Sequence, residues 1–220
     1  MKLLVKPQAI FFDLDGTLVD TAPDLGGAAN FIRASQGLAP LPLPDYRPVA
    51  SAGARGLLRM ALGITPEHAD FPQHRDAFLA HYAEHLADHS GLFEGFTETL
   101  AGFAQQGVRW GVMTNKPQRY TDALMAALKL DTEACAIVSA DEVPKAKPAP
   151  DGLLLACQRA GAAPEHCWYV GDDKRDIDAG RAAGMQTIAA AWGYEGEHAL
   201  ATWGADFICT HPTDLLQLIA

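Results

Sequence analysis

The sequence predicts an α/β protein built on a parallel sheet, with a helical segment inserted early in the chain. Three features carry that prediction. Short apolar runs end abruptly in polar residues, helical patterns punctuated by proline and glycine lie between them, and residues 21–91 break the alternation with helical patterns alone. Strands alternating with helices of this length form β-α-β units, whose parallel sheet is covered on both faces.

Residues 8–12 form the first strand, an aliphatic and aromatic run stopped by Asp13, as a doubly buried strand reads. Run 108–113 ends at Thr114, run 136–138 near Ser139 and run 167–170 at Gly171, while 186–191 and 206–209 complete the strand series. Helical patterns cover 98–106, 117–130, 150–160 and 177–183. Pro117 and Pro150 open two of them, and Gly107, Gly161 and Gly184 close three. Within residues 21–91 a connection rich in proline carries Pro40, Pro42, Pro44 and Pro48. The expected domains are therefore 1–20 with 92–220, and an insertion at 21–91.

With 49% hydrophobic and 20% charged residues, the 220-residue chain can bury a sizeable core and lacks the composition of a disordered one. The 17 basic against 27 acidic residues give a net charge of −10, which argues against a nucleic-acid or anionic-membrane partner. A small anionic ligand stays open if positive charge is concentrated locally. Lys6 and Pro7 interrupt the apolar start MKLLVKPQAIFF, and no apolar stretch approaches the ~18 residues that span a bilayer, so a cytoplasmic protein is expected. Cys135, Cys157, Cys167 and Cys209 have no C-x-x-C or zinc-ligand spacing and read as buried reduced thiols.

In an open parallel sheet, ligands bind beyond the carboxyl ends of the strands. The polar residues of this chain fall on that edge. Asp13 and Asp15 follow the first strand, Thr114 and Asn115 the second, Lys145 and Lys147 the third, and Asp172, Asp173 and Asp176 the fourth. Grouped carboxylates repel one another without a cation. Mg²⁺ favours oxygen ligands and is commonly shared with substrate phosphate, so the set reads as a metal-assisted phosphoryl-transfer site.

The stretches FFDLDGTLVDT, MTNK, KAKPAPDG and VGDDKRDIDAGRAAG resemble, in order, the four motifs of the haloacid dehalogenase superfamily. The resemblance covers the whole chain and implies a Rossmann-like core with residues 21–91 as an inserted helical cap. The likeness is greatest to the phosphoglycolate phosphatase type, and VASAGARGLL resembles the loop with which such caps meet substrate.

This resemblance implies that Asp13 is a nucleophile forming an aspartyl-phosphate, while Asp15 protonates the leaving alkoxide and then activates water. The spacing agrees, because residues two apart in an extended segment point the same way and Gly16 permits the turn. The resemblance further implies that Thr114 and the Asn115 backbone hold phosphoryl oxygens and that Lys147 neutralises their charge. Asp172 would bind Mg²⁺ with Asp13 and the Asp15 carbonyl, and Asp176 would support the metal or Lys147. Lys147 is preferred to Lys145 because Pro148 follows it. Asp173 stands where these phosphatases often carry Ser or Thr and is a further candidate ligand. Arg55, in SAGARG, is a candidate contact for a substrate carboxylate from a flexible loop.

Other readings of these residues are weaker. A calcium loop starting at Asp13 has Gly at its fourth place, not its sixth, and Asp24 where a bidentate Glu belongs. His81, His85 and His89 would share one helix face, more simply a half-solvated surface than a metal site, above core packing by Phe78, Tyr82 and Leu86. Trp110 and Trp168 belong to strand packing. Asp15 suits an alkoxide leaving group and so disfavours a dehalogenase. A phosphonate hydrolase using a cap lysine is excluded, since no lysine lies between Lys6 and Lys116. The expected substrate is a small phosphorylated metabolite, first 2-phosphoglycolate and then a sugar phosphate such as N-acetylmuramic acid 6-phosphate, acted on by a monomer or homodimer. A sugar phosphomutase and a non-catalytic effector-binding protein are the further alternatives.

Overall fold

All four residues of strand β1 (Ala9–Phe12) are buried, because the strand lies inside a sheet covered on both sides. The structure is a computed structural model describing residues 6–194 and 200–219. From β1 the chain passes through β2 (Val19–Asp20) into α1 (Ala22–Ser35), α2 (Leu43–Tyr46), a 3-10 segment at Arg47–Ala52, α3 (Gly53–Leu62) and α4 (Phe71–Glu84), and returns through β3 (Gly91–Leu92). It then alternates through α5 (Phe96–Gln105), β4 (Arg109–Met113), α6 (Gln118–Ala127), β5 (Ile137–Val138), α7 (Asp151–Ala160) and β6 (Cys167–Gly171). The remainder is α8 (Lys174–Ala182), β7 (Gln186–Ala190), α9 (Leu200–Trp203), β8 (Phe207–Cys209) and α10 (Asp214–Ile219). No helix of the described residues is long and apolar enough to cross a membrane.

Six strands run parallel in the order β5-β4-β1-β6-β7-β8, with Phe12 beside Val112 on one side and Val170 on the other. The chain builds outward from β1 through β4 to β5 and then resumes on the opposite side of β1 with β6. That reversal opens a crevice at the carboxyl end of β1, where open sheets of this kind bind ligands. Ala9 and Phe11 face Leu153, Ala156 and Cys157 of α7 and Ala179 of α8. Phe12 points the other way, edge-on to Phe96 at 5.4 Å and stacked with Phe103 at 6.3 Å, both on α5. Burying such a side chain is worth roughly 1.5–3 kcal/mol, so alternate β1 residues hold both helical layers to the strand that carries Asp13.

The expected strands and helices are present with shifted ends. Helix α8 starts at Lys174, three residues before the apolar pattern suggests, because Asp173 and Asp176 form a capping box over a polar first turn. Pro117 and Pro150 cap α6 and α7 from outside the helices. The short α9 and α10 escape periodicity altogether. Cys157, Cys167 and Cys209 are buried, Cys135 is half-buried, and all four are free thiols; burial pushes Cys209 up to about 12, the mark of an inert thiol.

The chain divides into two compact units, Met1–Val19 with Leu92–Ala220, and Asp20–Gly91. Asp20 thus belongs to the helical unit and not to the α/β unit, where the sequence placed it, and its carboxylate meets Arg47 of the same unit at 2.5 Å. In this unit α1 packs on α3 and α4, with Phe78, Tyr82 and Leu86 buried. The expected histidine face is kept for His81 and His85, whose rings lie 4.5 Å apart, and does not extend as a helix face to His89. Helix α4 ends at Glu84, and beyond it the buried Asp24 carboxylate accepts bonds from the His89 and Ser90 main-chain N–H groups and the Ser90 hydroxyl, at 3.0, 2.8 and 2.6 Å. His81 also stacks on Phe31 at 4.1 Å, and His85 also pairs with Asp88 at 2.8 Å. Nor is SAGARG a flexible loop. Gly53, with φ 59°, joins the 3-10 segment to α3, and Arg55 stands exposed in the first turn of that helix while Leu57, Leu58 and Ala61 anchor it.

Candidate active site

Four loops at the carboxyl edge of the sheet assemble the site. Asp13 extends the ladder one residue past β1, its N–H donating to the Val170 carbonyl at 2.9 Å, and its Oδ1 accepts from the Leu14 N–H at 2.7 Å. Gly16 turns the chain with φ 86°, and a Cβ there would lie 2.3 Å from Asp172 Oδ2. Only glycine satisfies both the positive φ and the close approach.

The loop after β4 begins with Thr114, whose N–H donates to the Val138 carbonyl at 3.0 Å and whose Oγ1 accepts from the Lys116 N–H at 3.1 Å. The Asn115 side chain accepts from the Lys147 N–H at 2.9 Å and donates to the Lys147 carbonyl at 3.1 Å. Its side chain thus serves the scaffold, and its main-chain N–H remains the candidate for substrate. Lys116 Nζ meets Asp15 Oδ1 at 2.8 Å.

Lys147 reaches into the crevice, while Lys145 is exposed. Its Nζ lies 2.8 Å from Asp13 Oδ1, 2.7 Å from Asp176 Oδ1 and 3.0 Å from the Tyr169 hydroxyl, which in turn donates to the Met113 carbonyl at 2.8 Å. Burial alone would lower the Lys147 ammonium, but Asp13 and Asp176 outweigh it and raise the pKa, so the lysine stays charged.

Asp172 is fully buried. It accepts from the Thr17 hydroxyl at 2.8 Å and from the Tyr194 N–H at 2.9 Å, yet burial, with Asp13 and Asp176 adding to it, pushes its carboxyl well above the usual range. Burial likewise raises Asp176 to about 6, against the pull of Lys147. Asp173 does not compete for this centre. Its carboxylate accepts from the Arg175 N–H and pairs with the Arg175 guanidinium, both at 2.7 Å, and these contacts lower its pKa despite burial. A capping residue already matched by an arginine has no call on a cation.

Asp13, Asp172 and Asp176 each offer an oxygen within 4.8 Å of the others. One lysine stands among three carboxylates, and Asp172 is raised chiefly by its burial, with the charges of Asp13 and Asp176 adding to it. An all-oxygen donor set short of positive charge fits a hard divalent cation such as Mg²⁺. The site therefore draws together Asp13, Asp172, Asp176 and Lys147, with Asp15, Thr114 and Asn115 on adjoining loops, whereas Arg55 belongs to the helical unit.

The sequence reading missed four residues. Lys116 was in sight within MTNK, and Thr17 within FFDLDGT, but neither had an assigned partner. Tyr169 reads as one more strand residue, and Tyr194 follows no motif, so only folding reveals their contacts.

Comparison with known proteins agrees with this architecture. N-acetylmuramic acid 6-phosphate phosphatase of Pseudomonas aeruginosa is 40% identical over 213 residues, covering 96% of this chain and 94% of its own. Phosphoglycolate phosphatase of Xanthomonas campestris is 38% identical over 215 residues, 96% of each chain. The crystal structure of a predicted phosphoglycolate phosphatase from Haemophilus somnus superposes with a TM-score of 0.86 at 26% identity, covering 99% of this chain and all of that one. The haloacid dehalogenase-like hydrolase family matches residues 7–184, and with relatives of this identity along nearly its whole length, the chain belongs to that family.

Proposed function

We propose that this hydrolase is a phosphatase that cleaves a small phosphomonoester bearing a carboxylate, with 2-phosphoglycolate as the first candidate. The observation that carries the reading is the pairing of Asp13 and Asp15 at the crevice beside β1, with Lys147 2.8 Å from Asp13. In the first step a carboxylate oxygen of Asp13 bonds to phosphorus, the ester P–O bond breaks, and the departing alkoxide takes the proton of Asp15. In the second, Asp15 accepts a proton from water, whose oxygen bonds to phosphorus as the Asp13–phosphorus linkage breaks. Phosphate leaves and both carboxyl groups are restored. Two displacements replace one difficult hydrolysis.

Thr114 accepts the Lys116 N–H and so directs its own hydroxyl proton elsewhere, toward a phosphoryl oxygen. Lys147 balances charge on the same oxygens, and Asp176 and Tyr169 fix its ammonium. Asp13, Asp172 and the Asp15 carbonyl would hold Mg²⁺, which when bound supplies further positive charge to the phosphoryl group. The helical unit, through Arg55, reads the remainder of the substrate.

Relatives at 40% and 39% identity named N-acetylmuramic acid 6-phosphate phosphatase favour that sugar acid as the second reading. Both esters carry a carboxylate that a guanidinium can pair. Phosphate release with Mg²⁺ from 2-phosphoglycolate, N-acetylmuramic acid 6-phosphate and a hexose 1-phosphate decides among them. Release from the sugar acid alone moves the substrate to the second reading, conversion of the hexose phosphate without release moves the chain to the mutases, and no turnover of any phosphomonoester overturns the reading.

A further inference from the structure

We infer that Lys116 is the positioning residue for Asp15, holding the acid-base carboxyl in the orientation from which it serves the leaving group. Its Nζ lies 2.8 Å from Asp15 Oδ1, and the two side chains are only 6% and 16% exposed. At these exposures the contact is not a solvated surface pair, and the ammonium holds the carboxylate by a charge-assisted hydrogen bond. The lysine is itself immobilised. Its N–H is tied to Thr114 Oγ1, and the preceding residue, Asn115, is bonded to both main-chain polar groups of Lys147.

The need for such a residue follows from geometry. An aspartate has two side-chain torsions and several rotamers, whereas proton transfer requires its oxygen within about 2.6–3.2 Å of the reacting atom. Lys147 cannot do this work for Asp15, since Asp13 and Asp176 occupy it. Selecting the productive rotamer before substrate arrives removes an ordering cost from the transition state. Lys116 acts through Asp15 and is not itself a catalytic residue.

The inference rests on the phosphatase reading, and the test separates the two. The full chain with Mg²⁺ is assayed as wild type, Lys116→Met and Lys116→Arg against 2-phosphoglycolate, whose alkoxide needs a proton, and p-nitrophenyl phosphate, whose phenolate does not. General acid catalysis contributes about 10²–10⁴-fold, so a misplaced Asp15 should lower kcat/KM for the alkyl ester by about 10–100-fold. The aryl ester should keep kcat/KM within about 3-fold, because that ratio reports only phosphoenzyme formation. Its kcat should fall, with a burst of p-nitrophenolate, because Asp15 must still activate water. Lys116→Arg should recover most of the alkyl activity with unchanged KM. Equal losses of kcat/KM on both esters, an undiminished alkyl rate, or a KM increase confined to the carboxylated ester would each overturn the inference. Should Lys116→Met fail to fold by circular dichroism, Lys116→Gln, which keeps a donor, is held to the same expectation as the arginine. Wild-type protein inactive on both esters would remove the phosphatase reading, and this inference with it.

Discussion

Two buried lysines stand at the same edge of the sheet in different company. Lys147 is shared between Asp13 and Asp176, with Asp172 close by, whereas Lys116 meets Asp15 at 2.8 Å. Around Lys147 three carboxylates cluster, with burial the main cause that raises Asp172 and Asp176 and neighbouring carboxylates adding to it, a setting that suits a further cation. The Lys116 and Asp15 side chains meet at 2.8 Å, and neither belongs to the cluster of Asp13, Asp172 and Asp176. The carboxylate cluster around Lys147 suits a cation and an anionic ligand, and the contact of Lys116 with Asp15 suits the orientation of one carboxyl group.

The largest effect should come from the carboxylate cluster. Asp13→Asn, nearly isosteric but a poor nucleophile, should reduce phosphate release by more than about 10³-fold with thermal unfolding little changed, and excess chelator should do the same reversibly. Retained turnover in either experiment would break the assignment of the two regions. Next comes stability. Lys147→Met leaves two buried carboxylates without their cation and should cost about 3–5 kcal/mol in urea unfolding. Lys116→Met leaves one carboxylate that water partly reaches, at about 1–2 kcal/mol. Equal costs would erase the distinction.

A third cation, Arg55, tests whether specificity lies outside both lysine sites. Arg55→Ala should cost about 1.5–3 kcal/mol in kcat/KM on a carboxylated ester, the worth of a hydrogen bond to a charged group, and much less on p-nitrophenyl phosphate. The smallest effect is expected at Asp173. Asp173→Asn keeps a helix-capping oxygen, so kcat/KM should stay within about 3-fold and stability within about 1 kcal/mol. A large loss of cation affinity in this variant would return Asp173 to the metal site.

Much of the α/β unit could be read before folding, because its signals are local. Residues 8–12 are apolar on both alternating faces and stop at an aspartate, which leaves little choice but a central strand. The polar residues at strand ends followed from the same reading. Contacts between distant loops were not local, and so Lys116 to Asp15, 101 positions apart, and Thr17 to Asp172, 155 apart, were invisible. In the helical unit the histidine spacing held for His81 and His85 and failed at His89, since a fourfold repeat predicts a shared face only while the helix lasts. Asp24, 65 positions before His89, supplies the polar partner of the segment that follows the helix. Glycine-rich SAGARG misled in the opposite sense, reading as loop where Leu57 and Leu58 pin a helix.

The Asn115 amide joins the loop after β4 to Lys147 across 32 positions of sequence. Between those points run a helix, a strand and a 3-10 turn, and in a serial chain each joint would add its own placement error to the next. The cross-link short-circuits that path. Thr114 and Lys147 become parts of one jaw whose gap is set by two hydrogen bonds, so insertions or drift in the intervening segment can be absorbed without resetting the distance between the two residues proposed to hold phosphate.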